Sequence, residues 1–298
     1  ETAPSAPGKH SPTATRGFIK MKIKIKRSTI KEIVTKVIQE KNLDQFPIKL
    51  SQWASSADKA KQVVDAGLDD GNPDDDKIAV KANATFPVSK LKPSQSSMNI
   101  DKALGMVLAM LGGKMGVGGN LGAFISKDMH IMDGHHRWVA TAMVDPSKPV
   151  GGYLVNFPGT DLIKILNAIT VGKLGIDQGK PATGGFDQFE ESSVRAKLEE
   201  LATQGSKHIQ AQEAMAILEQ WTGQQGEEAV QVAGDRIVQN LGSVSFELPS
   251  GAPSRPDMPV IDDDDVNKAV DALQGGEVDW NDPAAGGEEN PAKRDGKY

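Results

Sequence analysis

The residues of this chain best suited to chemistry stand side by side: Asp133, Gly134, His135, His136, Arg137 and Trp138. They follow the apolar run Met129 to Met132 and precede the helical spacing of His135 to Met143, which predicts a strand that turns into a helix at Asp133-Gly134. Glycine permits close approach of the backbone at such a turn, and the first free N–H groups of the helix attract anions. Arg137 offers a planar fork suited to phosphate. Asp133 can hold Mg²⁺ or orient a hydroxyl, and two imidazoles can donate hydrogen bonds or pass protons. A helix cap and solvent-facing histidines are the plainer roles for any one of these residues, but five together read as a phosphate-handling turn.

Other motifs fail on their spacing. Gly113-Lys114-Met115 resembles the end of a P-loop, yet methionine cannot replace the Ser or Thr that holds Mg²⁺. Gly116-Val117-Gly118 opens a dinucleotide-like pattern in which Leu121 occupies the place of the last glycine. The stretch Gly112 to Gly122 therefore reads as a flexible lid or loop near a ligand. Asp69, Asp70, Asp74, Asp75 and Asp76 crowd the turn Gly71-Asn72-Pro73, but the register of a calcium loop is absent, which leaves a solvated acidic loop.

The elements that must position the turn form an expected α+β unit over residues 77–175. It has short strands at Ile78–Lys81 and Phe86–Val88, and a helix capped by Asp101 that runs through Leu111. A hairpin follows (Ala123–Ser126 and Met129–Met132), then the helix after Gly134, a strand at Tyr153–Asn156, and a helix from Asp161 to Val171 capped by Thr160. Before this unit, residues 1–17 read as an extended arm. Residues 18–76 hold a lysine-faced strand (Phe18–Arg27), a helix capped by Ser28 or Thr29, and the acidic loop. After it, residues 187–248 read as amphipathic helices near Val194, Ala214 and Val230 with a short strand at Ser243–Leu248. Residues 249–298 read as an acidic tail, extended apart from Val266–Leu273.

Composition narrows the function classes. Of 298 residues 38% are hydrophobic and 25% charged, ordinary values for a globular chain once its 31 glycines are added. The absence of cysteine excludes disulfides, thiolate metal sites and cysteine nucleophiles. No stretch approaches the ~18 uninterrupted apolar residues of a membrane span, which predicts a soluble protein without a membrane partner. The chain starts at Glu1 with no apolar signal core, as expected for a trimmed or partial chain rather than a secreted one. Its net charge of −6 hides an asymmetry: Glu1–Asn42 holds ten Lys or Arg against three acidic residues, and Asp257–Tyr298 holds twelve acidic against four basic. A front arm of +7 and a tail of −8 predict that both reach toward other protein chains or each other.

The stretch Phe86 to Asn156 resembles the ParB/sulfiredoxin superfamily. The likeness lies in its order: a strand, a Leu-x-Pro segment (Leu91, Pro93), a helix, a hairpin, the Gly-x-x-Arg turn (Gly134 to Arg137) and a helix that begins with an aromatic. It covers about a quarter of the chain, and Asp133 to Arg137 is its one sharp motif. The resemblance implies a ParB/sulfiredoxin-like fold and nucleotide binding through Gly134, His135, His136 and Arg137. Sulfiredoxin activity is excluded, because it needs a cysteine at the turn. Chromosome-partitioning ParB proteins carry Glu-Arg-Arg in place of His135-His136-Arg137, followed by a DNA-binding domain; the helices after Ser192 lack a basic recognition face, which sets sequence-specific DNA binding aside.

The string Asp-Gly-His-His-Arg is most similar to the free serine kinases, which phosphorylate a small hydroxyl with a nucleotide and Mg²⁺. Those enzymes take a base from an earlier glutamate. The matching segment here, Lys92-Pro93-Ser94-Gln95, ends in a glutamine that cannot accept a proton at neutral pH. Two expectations follow. One is a Mg²⁺-dependent phosphotransferase or nucleotide hydrolase that binds a nucleoside triphosphate or diphosphate. In it Asp133, His135 and His136 are catalytic, Asp133 holds the metal, and Gly134 to Arg137 grip phosphate. The other is a non-catalytic structural component of a large assembly such as a bacteriophage virion, retaining a ParB-like domain. The expected location is cytoplasmic, or the virion if phage-encoded.

Overall fold

The computed structural model describes residues 46–54, 60–61, 77–177 and 179–278. The arm, the lysine strand with its helix, the acidic loop and the end of the tail lie outside the described residues.

Five strands form one mixed sheet in the order β1-β5-β3-β4-β2: β1 (Val80–Pro87), β2 (Lys92–Pro93), β3 (Gly119–Ser126), β4 (His130–Ile131) and β5 (Pro149–Val155). β1 runs antiparallel to β5 from Val80↔Val155 to Pro87↔Pro149. The two short strands expected before Val88 are thus one strand, irregular between Lys81 and Ala84, where Asn83 adopts φ 54°. β5 and β3 are parallel, from Gly119↔Val150 to Ser126↔Val155. The second half of the glycine-rich stretch is therefore not a loop; it pairs in the sheet. β4 pairs antiparallel with β3 at Ile125↔Ile131, and β2 runs parallel to β4 through Lys92↔His130 and Pro93↔Ile131.

Side-chain alternation sends neighbouring residues to opposite faces. Ile125, Ile131 and Val150 join a core with α2 (Ile100–Leu111) and α3 (His135–Val144), whereas Phe124, Met132 and Val155 join a second core with α1 (Leu50–Ala54) and α4 (Gly159–Asn167). The fold is α+β with helices on both faces of the sheet. α2 is capped by Asn99, not Asp101: the Asn99 side chain accepts the Lys102 N–H at 2.7 Å, and Asp101 lies in the first turn, where its charge suits the helix dipole. α4 starts after Pro158, without a side-chain cap from Thr160, and its end widens into a π-helical turn over Ala168–Lys173.

α5 (Glu191–Gln204), α6 (Ala211–Thr222) and α7 (Gly226–Leu241) are the expected amphipathic helices, with Val194, Leu198, Leu218 and Ile237 buried in the α2–α3 core. Ser243–Leu248 forms no strand. Phe246 instead packs its ring against Trp138, Phe186 and Phe189, with centroids 5.0–6.0 Å apart. The start of the acidic tail is likewise integrated. α8 (Asp263–Gly275) opens with a capping box between Asp262 and Asp265 and buries Val266, Ala269, Ala272 and Leu273 in the second core. Ile78 N–H donates to the Leu273 carbonyl at 2.8 Å.

Candidate functional site

The turn sits where the sequence places it, between β4 and α3. Gly134 is the N-cap of α3 in the left-handed region (φ 76°, ψ 13°), and a Cβ there would stand 3.3 Å from that of Leu121. Both constraints favour glycine. Asp133 is exposed, while His135 and His136 are buried beneath it.

The Nε2 nitrogens of both histidines are taken by backbone donors. Ser94 N–H donates to His135 Nε2 at 3.1 Å, and Asn99 N–H donates to His136 Nε2 at 3.0 Å. Each Nε2 is therefore an acceptor, which places the neutral ring's proton on Nδ1. Burial, with the neighbouring His136 and Arg255, pushes His135 down to about 3, against a hydrogen bond from its ring to the Ile131 backbone. Burial, with Arg255, Lys102 and Lys180, pushes His136 down to about 3 as well. Both rings are therefore neutral at pH 7, and they clip the turn to the segment before α2. His130 adds a third clip, its Nδ1 lying 2.8 Å from the Pro93 carbonyl oxygen. The sequence reading left His130 without a role.

Arg137 also turns to the backbone. Its Nη2 donates to the Gly118 carbonyl at 3.0 Å and its Nη1 to that of Asn120 at 3.3 Å. The fork expected to hold phosphate thus braces the entry to β3. Trp138 Nε1 donates to the Val88 carbonyl at 3.1 Å. Gln95, in the place of the kinase-like base, is buried and donates from Nε2 to the Ser97 carbonyl at 2.6 Å.

Cations reach the turn from elsewhere in the chain. Lys102, Lys180 and Arg255 line, with His136 and Asn99, a cleft of about 1040 Å³. Lys180 and Arg255 also line an adjoining cavity of about 70 Å³ together with Asp133 and Gln95. Partial burial holds Lys102 below the usual lysine range, helped by the charges of Lys180 and Arg255 and opposed by Asp133. Burial lowers Arg255 too, again against Asp133. Burial together with the positive charges of Lys180 and Arg255 works against the charged form of Lys102, as it does where an anion would be welcomed.

Sequence reasoning missed these three residues, and no local signal could have found them. Lys102 occupies an ordinary helix position. Lys180 arrives through the bridge between Gly179 and Pro259, and Arg255 through a segment anchored by Ser96 N–H to Pro253 O (2.9 Å) and Arg255 N–H to Ser97 Oγ (3.1 Å). Among the described residues no group of three His, Cys, Asp or Glu stands together as a metal cage. Asp133 alone fits the manner in which Mg²⁺ binds with nucleotides, through one or two carboxylates, phosphate oxygens and water.

No family model matches the sequence, and no curated protein or solved structure matches it either. What the structure establishes is an α+β protein with a cation-lined cleft at a strand-to-helix turn; among the described residues no helix is long and apolar enough to cross a membrane.

Proposed function

We propose that this is a ParB-like nucleotide-binding protein whose ligand places its phosphates among Lys102, Lys180 and Arg255. The observation that carries the reading is the convergence of these cations, from three distant parts of the chain, on the cleft beside His136 and Asp133. The N-terminal turn of α2 opens on the same cleft through Asn99 and Lys102. Asp133, from the adjoining small cavity that Lys180 and Arg255 also line, would hold Mg²⁺ on the phosphates or orient an acceptor hydroxyl. Phosphoryl transfer or hydrolysis here would rest on positioning and charge stabilisation. Neither Gln95, nor His135, nor His136 is in a state to take a proton, which favours binding with slow or no turnover.

Calorimetric titration with ATP, ADP and CTP, with and without Mg²⁺, tests the proposal. Lys102→Ala and Arg255→Ala should each weaken binding about ten- to a hundredfold, the worth of a charge-assisted contact of ~1.5–3 kcal/mol. Asp133→Asn should spare Mg²⁺-free binding and weaken only the Mg²⁺-dependent part. Failure of the wild-type protein to bind any of the three would overturn the reading.

A second reading, a component of a large assembly such as a bacteriophage virion, is favoured by the opposed charges of residues 1–42 and 257–298. It predicts association at low salt that high salt dissolves. A monomer by sedimentation at both salt levels would refute it.

A further inference from the structure

The cleft is longer than a phosphate chain needs, and beyond Lys102, Lys180 and Arg255 its lining mixes apolar residues with Lys114, Glu200, Lys207 and His208. One face of α2 forms its floor: Lys102 at the charged end, then Gly105 and Met106, then Ala109. At ~1.5 Å per residue, Lys102 and Ala109 are about 10 Å apart, the reach from a nucleotide's phosphates to its base. Ile209 and Ile217, from the helical region that follows the α+β unit, line the cleft too, with Lys207 and His208 next to Ile209 in the chain.

Two details point to an occupant. A Cβ built on Gly105 would meet nothing within 4 Å, so the helix leaves open space over its backbone where any other residue would begin to fill it. Thr183 lines the same cleft, and its Oγ1 is buried with no hydrogen-bond partner. A buried hydroxyl without a partner is costly unless a ligand supplies one.

We infer that the far half of the cleft, over Gly105 and Met106 and beneath Thr183, Ile209 and Ile217, holds the uncharged ring-bearing body of the ligand. The helical region thereby sets which phosphorylated compound fits. This rests on the reading of the charged end as a phosphate site. A planar body suits Met106, whose thioether packs favourably on rings, and the Thr183 hydroxyl supplies one directional contact to it.

The test compares ATP and CTP with inorganic tripolyphosphate, at one ionic strength and without Mg²⁺. The wild-type protein should bind at least one nucleotide about tenfold or more tighter than tripolyphosphate. Gly105→Phe should reduce nucleotide affinity to that of tripolyphosphate while leaving tripolyphosphate itself unchanged. Gly105→Ala, which adds only a methyl group in open space, should fold and bind as wild type. Thr183→Val, close to isosteric, should cost the nucleotide several-fold and tripolyphosphate nothing. Equal binding of nucleotides and tripolyphosphate by wild type would overturn the inference and leave the phosphate site standing. Unchanged nucleotide affinity in both Gly105→Phe and Thr183→Val would do the same. Binding of none of the three compounds would bring down the phosphate reading, and this inference with it.

Discussion

Lowering the pH from 7 to 5 should destabilise this protein through His135 and His136. Both rings are buried, both accept a backbone N–H at Nε2, and both lie near 3 in the folded chain against about 6.5 when unfolded. The sign follows from the depressed folded value. As pH falls below about 6.5 the unfolded chain takes up protons that the folded chain refuses, so stability is fully present above that value and is lost toward pH 3. For one such ring the loss between pH 7 and pH 5 is about 2 kcal/mol, and for two it approaches ~4 kcal/mol. Carboxylates with ordinary values contribute little in this window. Urea unfolding at pH 7, 6 and 5 measures the slope, and NMR titration of the imidazole rings assigns it. Replacing both histidines by asparagine should lower stability at pH 7 yet flatten its dependence on pH. A wild-type loss below about 1 kcal/mol, or ring signals of these two residues that titrate near 6.5, would refute the picture of neutral acceptor imidazoles.

Two further outcomes follow from the same geometry. Arg137→Ala should cost about 1–3 kcal/mol in chemical denaturation, because the carbonyls of Gly118 and Asn120 lose their donors, while nucleotide affinity stays within about twofold. Gly134→Ala should cost about 1–2 kcal/mol by thermal unfolding, since alanine resists φ 76° and its methyl group would press on Leu121.

The elements around the turn were legible because their periods are clean. The run Met129–Met132, the glycine and the spacing after it lead to β4, the turn and α3. Asn99 hid behind Asp101 as a cap because both residue types serve there, and the side chain that reaches the Lys102 N–H is decided by tertiary packing. The glycine-rich stretch looked like a loop because glycine lowers strand propensity. What makes Gly119–Gly122 part of a strand is pairing with β5, where Gly152 leaves room for the Ala123 carbonyl. The tail reads as extended apart from Val266–Leu273, and α8 covers that exception and lengthens it to Asp263–Gly275. Its composition is acidic, but Asp262 to Asp265 sit together in the cap and first turn of α8, and one apolar face remains to be buried.

The string Asp133 to Trp138 invites the view that it grips a ligand with its own side chains, yet four of its six residues each hydrogen-bond neighbouring backbone. His135 holds Ser94, His136 holds Asn99, Arg137 holds Gly118 and Asn120, and Trp138 holds Val88. The consequences propagate outward. The clipped segment Ser94–Asn99 presents Ser96 and Ser97, which anchor Pro253 and Arg255, and it sets the cap of α2 from which Lys102 projects. Two of the three cations thus owe their place in the cleft to the histidines. A substitution at His135 or His136 should therefore act on ligand affinity indirectly, by loosening where Arg255 and Lys102 stand, and a positive charge placed at either position would not repair it. On the reading proposed above, recognition of the anion lies with residues whose importance is invisible until the chain is folded, and the motif that is visible in the sequence is the frame that holds them.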